Sequence, residues 1–292
     1  MDIRQTNSIL VVGGGSTIGR SLVMSYETDS KSIWQTTRHR SKVNDQCLFL
    51  DLSDNEDCWF LPYTQIRTAI ICAAVTSHEQ CRNFPEFSRR INVDRTVALA
   101  TSLTNAGVFV IFLSSNAVFN GETPFAGYID PINPQTEYGR QKADTEEQLL
   151  KLGDKVAIVR FSKVITPEMP LIKRWIWDLK AGKVIHPFFD MVIAPVPIGF
   201  AVAVLQKVAF EHVPGIIQVS ANQDVTYADL ARYIAYKLGS DKELVKPISY
   251  LDVRHTYAPK NTTLDCSRLF ELGIFPPDLW TGVDNTFEFS KV

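Results

Sequence analysis

"ILVVGGGSTIGRSL", residues 9–22, runs from an apolar stretch through a glycine turn into a helical pattern. Strand, glycine turn and helix start, in that order, form the context a dinucleotide-binding turn requires. The glycines allow a tight turn and a close backbone approach to a pyrophosphate, whose charge then faces the helix N-terminus. The spacing GxGxxG fails, because Ile18 stands where the third glycine belongs. A GxxGxxG spacing fits better: Gly13 and Gly19 match, and Ser16 replaces the middle glycine. Ser16 narrows the room near the phosphates and offers a hydroxyl that can donate to one. Gly13, Gly15, Ser16, Thr17, Ile18 and Gly19 are the expected cofactor-binding residues here; a glycine turn with no ligand is the competing reading.

The rest of the first half repeats the same rhythm. Short apolar runs at 8–12, 32–37, 47–50, 68–74, 108–114 and 156–161 read as strands, with helical patterns at about 17–26, 84–105 and 137–152 between them. Continuous β-branched runs separated by helices describe a parallel sheet covered on both faces. The expected class is α/β, a Rossmann-type doubly wound parallel sheet. After Phe161 prolines cluster at 167, 170, 187, 195 and 197. "LIKRWIWDLKAG" reads as a helix closed by Gly182, and the strand-like "GIIQVS" (215–220) leads to a helix with Thr226 as N-cap, Asp229 in its first turn and Gly239 as terminator. We therefore expect a smaller, partly interleaved C-terminal substrate-binding lobe from about 162–197 and 241–292, with the nucleotide-binding domain taking 1–161 and about 198–240.

The 292 residues are 45% hydrophobic and 21% charged, with a formal net charge of -2. That balance points to neither nucleic acid nor a membrane surface as partner. Cys47, Cys58, Cys72, Cys81 and Cys266 are scattered, with no CxxC pair and no histidine at ligand spacing, so they read as reduced and structural. No signal-peptide pattern opens the chain, and its longest apolar run, 198–210, is too short and too interrupted by Gln206 and Lys207 to span a bilayer. The expected compartment is the cytoplasm, where the sequon at Asn261 has no meaning.

The second strand ends in "TTRHR", and no acidic residue follows before Asn44. Sites selective for NAD place Asp or Glu about 20 residues past the first glycine to hold the ribose 2′-OH, whereas NADP sites place an arginine at the 2′-phosphate. Arg38 or Arg40 suits that role, favouring NADP(H) over NAD(H).

In "EYGRQK", Tyr138 and Lys142 stand at i and i+4, on one face of a helix. A phenol of ordinary pKa, about 10, transfers protons poorly at neutral pH, and an adjacent ammonium favours its phenolate. Reduction of a carbonyl needs such a group, because hydride arriving at carbon must be matched by a proton at oxygen. Upstream, the buried strand "VFVIFLSS" ends at Ser114 and Ser115. Strand carboxyl ends line the ligand crevice of an open parallel sheet, so these hydroxyls are candidates to bond a substrate carbonyl or the tyrosine; strand-end capping is the alternative.

Several features coincide in order: the GxxGxxG-like turn, "LDL" (50–52), "CAAVT" (72–76), "INVDRTVALA" (91–100), "SSNAVFNG" (114–121), "NPQTEYGRQK" (133–142) and a late "APVPI" (194–198). Together they resemble the extended short-chain dehydrogenase/reductases, and within them the dTDP-4-dehydrorhamnose reductase-like, sugar-nucleotide-binding branch. The resemblance implies a triad of Ser115, Tyr138 and Lys142, in which Tyr138 is the acid, Lys142 lowers its pKa and binds the nicotinamide ribose, and Ser115 orients the carbonyl. It places Asp51 and Leu52 by the adenine, Cys72, Ala73 and Ala74 by the cofactor backbone, and Asn92 on the helix behind the site. Thr76, Ser115, Asn116, Ala117, Tyr138 and Lys163 are the implied substrate contacts. The pattern departs from the rhamnose reductases at Asn116 and Ala117, which replace an Asp-Tyr pair that helps hold the sugar, and at Lys163, which replaces an aromatic contact. Both departures count against dTDP-4-dehydrorhamnose itself, and the lack of an Asp-Glu pair after Ser115 counts against the sugar-nucleotide dehydratases.

The expected activity is reduction of a keto group on a nucleotide-activated deoxysugar by a monomer or homodimer. A sugar-nucleotide epimerase and a non-catalytic, cofactor-binding regulatory module are the alternatives. His78 and Glu79 read either as substrate contacts or as a solvated loop. Trp175 or Trp177 suits base stacking or core packing, and Lys173 and Arg174 suit a diphosphate. His186, His212 and His255 show no metal-ligand spacing.

Overall fold

The computed structural model describes residues 8–27, 33–254, 257–287 and 289; Ser32, the expected first residue of the second strand, and His255 lie outside them. Strand Ile9–Val12 (β1) feeds through the glycine turn into helix Thr17–Glu27 (α1), followed by strands Ile33–Thr37 (β2), Cys47–Phe49 (β3) and Thr68–Ile71 (β4). Next come helices His78–Asn83 (α2) and Pro85–Arg89 (α3), a π-helical turn Arg90–Arg95 and helix Thr96–Asn105 (α4). Strand Phe109–Ser115 (β5), helix Glu137–Leu150 (α5) and strand Val156–Phe161 (β6) follow. The remainder comprises Lys163–Ile165 (β7), Pro170–Lys180 (α6), Val192–Ile193 (β8), Pro195–Pro197 (β9), Ile198–Glu211 (α7), Gly215–Val219 (β10), Val225–Thr226 (β11), Tyr227–Lys237 (α8), Tyr250–Arg254 (α9), Ser267–Glu271 (α10) and Leu279–Phe287 (α11).

Seven strands form one sheet in the order β3-β2-β1-β4-β5-β6-β10. The pairs β3–β2, β2–β1, β1–β4 and β4–β5 all run parallel. All of β1, β4 and β6 is buried, which is why these strands read as unbroken apolar runs rather than as alternation. Strand order reverses between β1 and β4, and ligands of such sheets bind beyond the carboxyl ends at that reversal. The glycine turn and the segment after β4 both lie there.

The chain groups into two compact units, one made of residues up to 118, 132–160 and 201–217, the other of 119–131, 161–200 and 218 onward. The first has its own core, in which Leu10, Ile71, Leu99, Phe112 and Ile158 are buried. In the second, Ile172, Trp175 and Leu179 of α6 pack with Tyr227, Leu230 and Ile234 of α8. That packing carries residues 218–240 into the second unit, against their expected place in the nucleotide-binding domain. Residues 119–131 join it too, because Ala126 bridges to Leu264 and the Phe125 N–H donates to Thr263 Oγ1. Thr226 and Asp229 form a reciprocal capping box at the start of α8, and Gly182 and Gly239 take positive φ just beyond α6 and α8.

Two stretches differ from their sequence reading. The helix expected over 84–105 is broken by the π-helical turn, which turns Asn92 and Val93 into the interior. The strand expected to run to Ala74 stops at Ile71, and just beyond it the N–H and C=O of Val75 are both bonded to the Asn92 side chain.

Helix α5 is tied to β6 by a buried ion pair: Glu146 and Arg160 have side chains 2% and 3% exposed and meet at 2.7 Å, with Arg160 Nε also reaching the carboxylate. Removing one partner of such a pair strands the other charge in the interior. We expect Glu146→Gln to lose about 3–5 kcal/mol of unfolding free energy in urea titration, and the double replacement Glu146→Met/Arg160→Met to recover most of it. A single variant as stable as the parent would refute this role for the pair.

Candidate active site

The glycine turn is held by backbone bonds to β2: Gly13 N–H donates to Thr36 Oγ1 at 2.9 Å and Gly14 N–H to Thr36 O at 3.1 Å. Gly13 has φ +84°, and a Cβ there would sit 2.9 Å from the Ala73 backbone, so only glycine fits between β1 and the segment after β4. Ser16 Oγ accepts the Gly19 N–H at 3.1 Å, which makes it a cap for α1 and leaves its proton for an anion. Gly15 has open space where a side chain would stand, and the first turn of α1 carries no acidic residue. These features suit a pyrophosphate. Thr17 and Ile18 open α1.

Arg38 and Arg40 are exposed beyond β2, and Arg40 lies 4.0 Å above the Phe49 ring. Asp51 Oδ1 accepts from the N–H and hydroxyl of Ser53, each at 2.8 Å, while Leu52 is buried. The Cys72 thiol is pushed up to about 12 by desolvation, which leaves it unreactive at neutral pH. Ala73 and Ala74 line the same segment, and Thr76 is exposed beyond them.

Thr136 caps α5 by accepting the Gly139 N–H at 3.1 Å. A Cβ at Gly139 would collide with the Ala117 carbonyl oxygen, so this glycine lets α5 rest on the turn after β5. Its neighbour Tyr138 is thereby brought beside Ser115. Ser115 Oγ also accepts the Ala117 N–H at 3.1 Å and bonds Asn116 Oδ1 at 3.2 Å. One turn along α5, Lys142 is 3% exposed, donates to Leu113 O at 2.7 Å and lies 4.3 Å from the centre of the Phe112 ring. The structure therefore unites Ser115, Tyr138 and Lys142. Ser114, on the opposite face of the strand, is buried with no partner for its hydroxyl, so the two serines part company.

Desolvation holds the Tyr138 phenol above its ordinary range, the nearby Cys81 adds to this, and the Ser115 hydroxyl only partly offsets it. The expected lowering by Lys142 is not found. Its ammonium is committed to Leu113 O and sits over the ring face, 5.8 Å from the ring centre. Tyr138 is thus a neutral phenol, a proton donor rather than a base. Desolvation brings Lys142 down to about 8, with Glu146 the largest opposing influence.

The polar support behind this pair was not legible beyond Asn92 itself. Asn92 Oδ1 accepts the Val75 N–H at 2.8 Å, and its Nδ2 donates to Val75 O at 2.9 Å and Gln141 Oε1 at 2.8 Å. Gln141 Nε2 reaches Ser88 Oγ at 2.8 Å, and Thr145 Oγ1 donates to Asn92 O at 2.8 Å. His78, expected on a loop, opens α2 after the Ser77 cap, and its ring lies 5.0 Å from that of Tyr138. Helix propensity of "SHEQCRN" behind a serine was the available signal.

Lys163 is exposed at the start of β7, in the second unit. Trp175 is buried edge-on to Tyr227, and exposed Trp177 meets Lys183 at 4.2 Å; Arg174 pairs with Asp178, and Lys173 is exposed. Glu79 is exposed on α2. His186 bonds Lys246 O and His212 bonds Thr68 Oγ1. Among the described residues no cluster of His, Cys, Asp and Glu is arranged to hold a metal, and no helix is long and apolar enough to cross a membrane.

A glycine turn at the β1/β4 reversal, with Ser, Tyr and Lys on β5 and α5, defines the extended short-chain dehydrogenase/reductase class of oxidoreductases. The chain belongs to the RmlD substrate binding domain family, whose model matches residues 7–287. It is 26% identical over 270 residues to a probable low-salt glycan biosynthesis reductase, Agl14, of Haloferax volcanii (89% of this chain, 87% of that protein). It is 24% identical over 290 residues to methionine adenosyltransferase 2 subunit beta of Bos taurus (91% and 82%). Its fold matches the dTDP-4-dehydrorhamnose reductase of Bacillus anthracis, solved in complex with NADP, with a TM-score of 0.83 at 19% identity over 97% of this chain and 99% of that one.

Keeping Lys142 buried opposes folding wherever it must be charged. Its folded pKa lies below the unfolded one, so the penalty is complete below about pH 8 and fades as pH rises toward the unfolded value. We expect the unfolding free energy of the parent, relative to Lys142→Met, to rise by on the order of 2 kcal/mol between pH 7 and pH 10 in chemical denaturation. Parallel pH profiles would show that Lys142 titrates normally.

Proposed function

We propose that this chain is an NADP(H)-dependent reductase of a keto group on a nucleotide-activated deoxysugar. The observation that carries it is the convergence of Ser115 at the end of β5 with Tyr138 and a buried Lys142 on α5, the Lys142 ammonium 5.8 Å from the centre of the Tyr138 ring. The glycine turn, its Ser16 cap and the first turn of α1 would hold the pyrophosphate, with Asp51, Leu52, Cys72, Ala73 and Ala74 along the rest of the cofactor. Arg38 and Arg40 supply the cations that favour a 2′-phosphate. The bound nicotinamide supplies hydride to the carbonyl carbon. Ser115 holds the carbonyl oxygen, Tyr138 gives it a proton, and Lys142 binds the ribose hydroxyls once its Leu113 contact yields. Thr76, Asn116, Ala117 and Lys163 remain assigned to the substrate, and the cytoplasm is the proposed compartment.

The kinship with a glycan biosynthesis reductase supports this reading. Kinship with an adenosyltransferase subunit favours a second one, in which the fold binds cofactor and serves another protein without turnover. An epimerase differs from both in regenerating its cofactor.

The test is NADPH and NADH oxidation by the purified protein against a panel of nucleotide-linked 4-keto-6-deoxysugars. We expect turnover with at least one member, a preference for NADPH that Arg38→Glu/Arg40→Glu reverses, and a loss of about 100-fold or more in kcat for Tyr138→Phe. Tight NADPH binding with no consumption across the panel would sink the reductase reading in favour of an epimerase or the non-catalytic subunit.

A further inference from the structure

Resting on the reductase reading, we propose that His78 is a specificity-determining residue that hydrogen-bonds the substrate hydroxyl on the carbon next to the keto group. The turn after β5 is poorly equipped for that task. Asn116 Oδ1 is bonded to Ser115 Oγ at 3.2 Å, and Ala117 has no polar side chain. A further polar group near Tyr138 is offered by α2.

His78 is held where it is by the segment before it. Asn92 fixes both backbone groups of Val75, Ser77 Oγ caps α2 by accepting the Gln80 N–H at 3.2 Å, and the fully buried Cys81 anchors the helix one turn on, its Sγ 3.4 Å from Val75 O. The exposed imidazole is thereby set against Tyr138, ring centres 5.0 Å apart and planes tilted by 47°. A ketone accepting a proton from Tyr138 has its neighbouring hydroxyl one carbon away, within reach of a group packed on the side of that phenol. An imidazole nitrogen can hydrogen-bond a hydroxyl. A site that hydrogen-bonds a substrate hydroxyl discriminates against the analogue lacking it.

The experiment pairs two probes with three proteins. A nucleotide-linked 4-keto-6-deoxysugar bearing its C3 hydroxyl and its 3-deoxy counterpart are compared as substrates in kcat/KM, and as ligands by calorimetry in the presence of NADP+. The proteins are the parent, His78→Phe, which keeps a ring against Tyr138, and His78→Gln, which keeps hydrogen-bonding capacity. We expect the parent to prefer the hydroxylated sugar by about tenfold or more, His78→Phe to erase the preference through KM for the sugar with KM for NADPH unchanged, and His78→Gln to restore part of it. A preference that survives in His78→Phe, or its absence from the parent, overturns the assignment while leaving the reductase reading standing. If the parent neither binds nor reduces either sugar, both readings fall together.

Discussion

One carboxamide, that of Asn92, holds together the two pieces of chain on which the site depends. Through its oxygen and nitrogen it grips the backbone of Val75, and through the same nitrogen it reaches Gln141 on α5. The first contact fixes the segment beyond β4, against which Gly13 packs; the second fixes the helix that carries Tyr138 and Lys142. A buried amide with all its bonds made is rigid, and one with a bond lost is costly, so the arrangement has little freedom to drift. The π-helical turn is what points Asn92 inward, in line with the use of such turns at functional sites.

Desolvation then sets the chemistry. It holds the Tyr138 phenol above its ordinary range, so any help with proton transfer must come from groups brought in with bound ligands, while Lys142 is brought down to about 8 and held by a main-chain carbonyl. Burial of a lysine opposes folding, and the Glu146 carboxylate, itself paired with Arg160, supports the ammonium. Stability spent at a site and recovered in its surroundings is a common pattern in functional proteins.

Most of the sheet was legible because its strands are buried on both faces and read as apolar runs; β6 has the expected bounds, and β1 and β10 differ by a residue at one end. The turn chemistry at Gly13 and the Tyr138–Lys142 spacing were legible for the same reason: each is a local rule. What escaped was non-local. The π-helical turn inside the 84–105 stretch and the tie from Asn92 to Val75, seventeen residues away, belong to tertiary packing rather than to a local pattern. The depressed phenol expected of Tyr138 failed because proximity in sequence gave the spacing of Lys142 but not the direction of its ammonium. Gly139 was in plain view, yet its need for the space beside Ala117 belongs to the packing of α5 on the turn after β5.

The NADPH affinity of Asn92→Ala, followed by fluorescence titration with circular dichroism to confirm that the variant is folded, measures this dependence directly. If Asn92 couples the cofactor segment to the catalytic helix, a folded variant loses about tenfold or more in NADPH affinity, the loss of one or two buried hydrogen bonds, although Asn92 itself lies behind the site. A folded variant that binds NADPH as tightly as the parent would show that the segment and the helix are held in place without it.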